Sequence, residues 1–367
     1  MDQSRLHRLY DAIEKSGLTG IVLNAGPSLT YLTGLHFHLM ERPVVLVVAC
    51  GQSPILVLPE LEKPQLEFLP FEVNSYGYGD DPRSWPGVFH DALAGCGLDN
   101  ARLGVEPQQL RLLELHCLQG AVQAEYVDGS EVLAHLRARK DDNELACIKR
   151  AVTIAENALE ATLPMMRIGV TEKAIAGELF VQLIRHGSDP ALPFFPIVAA
   201  GPNSTNPHAT PSGRPLASGD LLIIDWGAGY HGYMSDLTRT FAVGAIDARA
   251  REIHETVQRA NAAGRKTGAA GDACAEVDRA ARWVIEDAGY GGCFTHRTGH
   301  GLGMECHEHP YIHGQNDEPL AAGNVYTVEP GIYFDGIYGV RIEDDVVMTA
   351  TGPQSLSTMS RNIRIVG

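Results

Sequence analysis

Apolar residues in the first part of the chain switch repeatedly between helical and strand periods. Leu6, Leu9, Tyr10 and Ile13 recur at helical spacing and predict an opening helix. The runs 20–23, 43–48 and 54–58 are short, continuous, rich in β-branched residues and bounded by Gly or Pro, the pattern of strands buried on both faces. The run 31–38, Tyr-Leu-Thr-Gly-Leu-His-Phe-His, reads as an ordinary hairpin after a strand. A helical stretch over 85–95 leads to another strand at 102–105. Together these predict a modest α/β domain over 1–130, without a phosphate-cradling glycine loop.

From Leu133 onward the texture changes. Leu145, Ile148, Ala151, Val152 and Ala155 line one face of a long helix over 139–163, with charges opposite. Gly169 reads as a stop, and Thr171-Glu172 as the cap of a second helix running to Ile184. Strands follow at 221–225 and 236–241. The same order then recurs: a helix over 250–267, another capped at Gly271-Asp272 and running to Asp287, and strands from Val325 and Val340. Matching features lie roughly 100 residues apart, so 131–367 reads as one α+β domain made of two diverged halves.

Composition removes several classes of function. The chain has 45 Asp+Glu against 29 Lys+Arg, a formal charge of −16. A surface that acidic repels phosphate backbones and anionic lipid, so neither nucleic acid nor membrane is expected as a partner. Seven scattered cysteines without a CxxC pair exclude a disulfide framework or a structural zinc cluster, and predict reduced thiols in a cytoplasmic protein. Apolar runs such as 44–50 fall far short of the roughly 20 residues that span a bilayer.

The candidate chemistry lies at the ends of the two halves. Asp225 follows four aliphatic residues and Asp236 opens the next strand; Glu329 and Glu343 repeat the arrangement in the second half. Spacings of 11 residues (225 to 236) and 14 residues (329 to 343) fit antiparallel strands joined by glycine-rich turns, which bring carboxylates face to face. A single such acid reads most simply as an ion pair or an edge-strand charge. Four at matching places repel one another unless protonated or neutralised, and two divalent cations match their charge. Five of the 15 histidines fall within 296–313, and one of them, His300, sits in Thr-Gly-His-Gly-Leu-Gly. Glycines there allow close approach of backbone and metal, although a glycine-flanked histidine also caps turns.

Asp225, Asp236, His300, Glu329 and Glu343, in this order and with these flanks, resemble the metallopeptidases of the pita-bread fold (peptidase family M24) over about residues 135–367. Asn-Pro-His around His208, Arg-Lys-Asp-Asp-Asn-Glu-Leu at 139–145 and the N-terminal α/β domain look like the branch that contains the Xaa-Pro aminopeptidases and Xaa-Pro dipeptidases (prolidases). The resemblance implies an α+β architecture: a creatinase/prolidase N-terminal-like α/β domain, then a pita-bread domain over 131–367. It implies five metal ligands, with Asp225 bidentate on one ion, Asp236 and Glu343 touching both, and His300 and Glu329 completing one of them. Four carboxylates and one imidazole form a hard set that favours Mn²⁺, with Co²⁺, Zn²⁺ or Fe²⁺ as alternatives.

The resemblance further implies that His208 and His307 contact the scissile carbonyl and its oxyanion. By the same resemblance His296 lines the pocket, Glu329 doubles as proton shuttle, and Arg341 either orients Glu343 or meets a substrate carboxylate. It implies a homodimer, with the stretch bearing His36 and His38 as the candidate to reach a partner's site. One departure bears on substrate: Tyr311 stands where many prolidases carry an arginine that grips the dipeptide carboxylate. The expected activity is therefore hydrolysis of the bond between an N-terminal residue and proline, with longer Xaa-Pro peptides ahead of dipeptides. The alternatives are a prolidase, a creatinase-like hydrolase of small amides, and a non-catalytic pita-bread binding module. Complete ligands argue against the last two.

Overall fold

The computed structural model describes residues 4–367. Chain contacts divide it into two compact units, Met1–Arg137 and Ala138–Gly367.

In the first unit α1 (Ser4–Ser16) buries Leu6, Leu9 and Ile13, the stripe that predicts it. Then come β1 (Gly20–Asn24), α2 (Pro27–Thr33), β2 (Val45–Ala49), β3 (Ile55–Pro59), β4 (Asn74–Tyr78), α3 (Trp85–Leu93), β5 (Arg102–Val105), α4 (Leu112–Ala121), β6 (Glu125–Asp128) and α5 (Ser130–Ala138). One six-stranded sheet, ordered β4-β3-β2-β1-β5-β6, mixes antiparallel pairs in its centre with parallel pairs at its sides. Its core gathers Val22, Val45, Val47, Val57, Phe89 and Leu118. The hairpin expected over 31–38 is not formed. Tyr31–Thr33 end α2, which starts at Pro27 and stops at Gly34 with φ 73°, a left-handed C-cap suited to glycine.

The second unit carries α6 (Asp142–Thr162) and α7 (Glu172–Arg185), then β7 (Ile197–Ala200), β8 (Leu221–Trp226), the short β9 (Gly229–Tyr230) and β10 (Tyr233–Met234), and β11 (Leu237–Val243). Its other half carries α8 (Ala248–Lys266), α9 (Cys274–Asp287), β12 (Gly299–Gly301), β13 (Glu308–Ile312), β14 (Val325–Val328), β15 (Gly331–Phe334), β16 (Tyr338–Arg341), β17 (Asp344–Thr349), β18 (Gly352–Ser355) and β19 (Arg364–Val366). This is the pita-bread arrangement: two helices and a sheet, repeated. The sheets are β19-β11-β8-β7 and β13-β12-β14-β17-β18. Apolar stripes of α6 and α7 pack with β8 and β11 through Leu159, Leu179, Leu222, Ile224 and the fully buried Trp226, whose indole donates to the Ala155 carbonyl at 2.8 Å. None of the helices among the described residues is long and apolar enough to cross a membrane.

Local signals explain most helix starts. Asp141 and Glu144 form a full capping box on α6, and Thr171 caps α7 through the Ala174 amide. Gly271-Asp272 does not cap α9: Ala273 occupies the N-cap, and the Asp272 carboxylate accepts from the Ala269 amide instead, closing the preceding turn. The paired strands are also not joined by simple turns. Each connection is itself a small hairpin, β9–β10 in one half and β15–β16 in the other.

The two sheets meet where β11 and β17 begin. Thr238 and Glu343 form an isolated antiparallel bridge, with the Glu343 amide donating to the Thr238 carbonyl at 3.1 Å. Beside it the fully buried Asp344 accepts from Arg239 at 2.9 Å and Arg361 at 2.8 Å, lies 3.2 Å from Arg265, and also accepts from Ser357. Removing the one anion leaves three guanidinium groups without a partner charge. Asp344→Asn is therefore expected to destabilise this unit by about 3–5 kcal/mol, measurable by chemical denaturation. An effect below 1 kcal/mol would show the network to be dispensable.

Candidate metal centre

Asp225 lies near the end of β8, opposite Thr238 of β11, and Asp236 immediately precedes β11. Glu329 follows β14 and Glu343 immediately precedes β17, the same two places in the second half. His300 is the middle residue of β12, where the register with β13 shifts. A β-carbon on Gly299 would stand 1.9 Å from the Thr327 carbonyl oxygen, and one on Gly301 2.2 Å from that of His309. Only glycines on both sides let the histidine strand lie this close to its neighbours.

These elements bring all five sequence-predicted ligands into one pocket. Their donor atoms fall into overlapping groups, Asp225/Asp236/Glu343, His300/Glu329/Glu343 and Asp236/His300/His307, each within 4.8 Å. Burial pushes the carboxyl of Asp225 up, and burial with mutual repulsion pushes those of Asp236 and Glu343 well above the usual range. Glu329 is pushed up to about 8, chiefly by burial. Oδ1 of Asp225 and Oδ1 of Asp236 are buried with no hydrogen-bond partner. His300 Nδ1 lies 3.1 Å from the Gly301 carbonyl, so the proton sits there and the Nε2 lone pair faces Asp236 at 3.8 Å and Glu329 at 3.5 Å. A lone pair facing carboxylates, with orphaned carboxylate oxygens beside it, is repulsive unless cations lie between. The donor set fits two divalent ions.

Neighbouring residues hold these groups in place. Arg341 donates to Asp225 at 2.6 Å, to Thr238 at 3.1 Å, to the Tyr333 hydroxyl at 2.9 Å and to the Pro207 carbonyl at 3.4 Å. It thus grips Asp225 directly, and reaches Glu343 through the Thr238 hydroxyl, which donates to Glu343 at 2.7 Å. With its guanidinium buried and engaged in this way, Arg341 does not present itself to a substrate carboxylate. Tyr333 lies 3.0 Å from His296 Nε2, whose Nδ1 faces the Arg297 carbonyl at 2.8 Å. His296 is held to about 4 by burial and by Arg341, and is neutral.

The His307 ring lies tilted by 36° against that of His300 with ring centroids 3.8 Å apart, and its Nδ1 lies 3.2 Å from Arg297 Nη2. Since guanidinium only donates, Nδ1 accepts and Nε2 carries the proton. His307 is thereby an exposed donor rather than a ligand. His208 is exposed in an Asx turn, its amide bonded to Asn206 at 3.0 Å.

Thr238, Tyr333, Cys306 and Arg297 went unnoticed in the sequence. The Cys306 thiol donates to Asp236 at 3.1 Å, and burial keeps it protonated. Its place seven residues before His313 and six after His300 offers no ligand-like spacing; Thr238, by contrast, stands two residues after Asp236 and was within reach of the pattern.

A carboxylate-rich pocket with one imidazole, set at matching strand ends of a duplicated α+β domain, defines a metal-dependent hydrolase of the pita-bread class. Residues 146–350 match the model of metallopeptidase family M24, and residues 5–139 match that of the creatinase/prolidase N-terminal domain. The chain belongs to metallopeptidase family M24. It is 33% identical to the putative dipeptidase YkvY of Bacillus subtilis, over 99% of this chain and all of the relative. Among solved structures, a dipeptidase from Pyrococcus horikoshii superposes with a TM-score of 0.92 at 34% identity, covering 99% of this chain and 100% of that one. The Xaa-Pro dipeptidase of Bacillus anthracis superposes with a TM-score of 0.90 at 31% identity, covering 99% of both chains. Family membership makes the chain a divalent-metal hydrolase.

Proposed function

We propose that the protein is an Xaa-Pro dipeptidase, releasing proline from dipeptides with two divalent ions, Mn²⁺ foremost, held by Asp225, Asp236, His300, Glu329 and Glu343. The observation that carries the metal reading is the pair of orphaned oxygens on Asp225 and Asp236 beside the His300 Nε2 that faces into the cluster. The dipeptidase reading rests on the names of the relatives and reverses the order expected from Tyr311, which favours longer Xaa-Pro peptides as the second reading.

When bound, such ions supply Lewis-acid polarisation and lower the pKa of water to near neutrality. The protein's own share is proton handling and orientation. Glu329, whose carboxylate lies 3.5 Å from His300 Nε2 within the cluster, takes the proton released by the attacking water and delivers it to the leaving prolyl nitrogen. His307, donating from Nε2, and His208 stabilise the negative charge that develops on the carbonyl oxygen. Arg341 and Thr238 fix the acids that must not move.

A panel of Ala-Pro, Ala-Pro-Ala and Ala-Ala assayed with Mn²⁺, Co²⁺ and Zn²⁺ tests the reading. Faster cleavage of Ala-Pro-Ala than Ala-Pro would favour the aminopeptidase; no cleavage of any would remove both. His208→Ala is expected to lower turnover on the preferred peptide by roughly 10²–10³, as for other oxyanion donors, with metal content intact. Normal turnover would return His208 to a turn residue, and loss of metal would make it structural.

A further inference from the structure

We infer that Arg297 is the residue that grips the free carboxylate of a dipeptide substrate, with the ring of Tyr311 as its platform. The inference rests on the dipeptidase reading above and deepens it. A dipeptide differs from a longer peptide by one anionic group just beyond the scissile bond, and a site selective for dipeptides needs a cation there that no protein acid has already neutralised.

The arginines around the site differ in what they are bound to. Arg341 is spent on Asp225, Thr238, Tyr333 and Pro207. Arg282 is paired with Asp278 through two hydrogen bonds, both 3.0 Å, and lies over Phe294. Arg279 is paired with Glu276 at 2.6 Å. Arg297 makes no ion pair among the described residues. Its guanidinium carbon lies 4.6 Å from the centroid of the Tyr311 ring, and Nη2 reaches His307 Nδ1 at 3.2 Å.

The remaining donors of this fork have no protein acceptor among the described residues, and the side chain is half-buried. His307 in turn packs against His300, so the cation stands one ring away from the proposed metal ligands. Arg297 also lines, with His296, Phe294 and Trp283, an open cavity of about 700 Å³. The cation–π contact with Tyr311 holds the guanidinium in place while leaving its remaining donors for a planar carboxylate. The tyrosine at 311 therefore does not leave the site without a cation. The charge comes from 14 residues earlier in the chain (297 against 311), on the segment that leads into the His300 strand.

The test compares each dipeptide with its C-terminal amide: Ala-Pro with Ala-Pro-NH₂, and Ala-Ala with Ala-Ala-NH₂, using the Mn²⁺-loaded protein. The wild type is expected to prefer the free acid. In Arg297→Gln, kcat/KM for the acid is expected to fall roughly 10–100-fold further than for the amide, mainly through KM, since a hydrogen bond to a charged group is lost only with the acid. Any loss common to both reports the contact with His307. Arg297→Lys, which keeps the charge without the fork, is expected to fall between. Calorimetry of proline and prolinamide binding gives a readout independent of turnover, and the preference for proline is expected to vanish in Arg297→Gln.

Equal losses on acid and amide, or a wild type that binds proline and prolinamide alike, would overturn the inference even where Arg297→Gln fails to fold. An Arg297-dependent preference for the acid of Ala-Ala with no cleavage of Ala-Pro would keep Arg297 in this role and sink the proline reading instead. Cleavage of Ala-Pro that ignores Arg297 would do the reverse.

Discussion

Asp236→Asn or Glu343→Gln is expected to abolish peptide hydrolysis, with a loss of more than about 10³-fold and fewer than two metal ions retained. Each carboxylate belongs to two of the overlapping donor groups, so neutralising either one weakens both candidate ion positions together. Both residues are almost fully buried, at 4% and 2% exposure, so no water-exposed acid can swing in as a substitute. The fold itself is expected to tolerate the change, because an amide relieves repulsion among acids that burial already penalises. Turnover and metal stoichiometry measured on one preparation decide the matter. Two tightly bound ions and near-normal turnover in either variant would refute the dinuclear arrangement.

Stripping the metal is expected to make stability fall as pH rises from about 6.5 to 8. Glu329 in the folded, metal-free protein keeps its proton up to about 8, whereas in the unfolded chain it loses it near 4.5. Between these values the folded state binds more protons than the unfolded one, so its stabilising effect is complete below 4.5 and is lost as pH climbs through 8. The histidines act with the opposite sign at lower pH. His254 and His296, held to about 4, and His300, held to about 3, gain stability as pH rises toward 6.5 and contribute nothing beyond it. Above 6.5 the carboxyls act alone. Glu329 by itself is worth about 2 kcal/mol over this window at 1.36 kcal/mol per pH unit, roughly a 5 °C drop in Tm for a domain of this size. Asp236 and Glu343 are raised for the same reasons and add to the trend. With Mn²⁺ present the acids are neutralised by cations, and Tm is expected to stay level. Scanning calorimetry with and without chelator checks the difference, and parallel curves would mean that the acids are not a single metal-dependent cluster.

What could be read from the sequence divides along local and long-range lines. The stripes of α1 and α6, and the cap at Thr171, depend on residues a few positions apart, and the expected elements formed there. The four acids were legible because the duplication presents each strand-end carboxylate twice, so that one half vouches for the other. Gly271-Asp272 misled because Asp272 satisfies a turn amide rather than the helix. The run 31–38 misled because Pro27, four residues upstream, starts a helix that continues through Tyr31. The resemblance marked Arg341 in the sequence, but which acids the supports of the site hold was not legible there. Thr238 meets Glu343 across 105 residues and Arg341 meets Asp225 across 116, and no local pattern marks such pairs. Arg297 was passed over because its meaning comes from what it does not pair with, which only the folded arrangement displays.

The seam between β11 and β17 governs how this site can come apart. The Glu343 amide is tied to Thr238, the Asp236 amide to the Asp345 carboxylate at 3.1 Å, and Arg239 caps the Glu343 carbonyl at 2.6 Å. Every one of these bonds joins the first half to the second. A fluctuation that peels one half away must break the amide bonds of two of the proposed ligands at once, and it separates the acids from their counterparts in the same event. The pocket therefore has no partly assembled form that keeps one ion site intact while the other frays. Loss of the site and opening of the duplicated domain are one cooperative transition, and a pair of ions held by the proposed ligands would stitch the halves at the place where they would otherwise part.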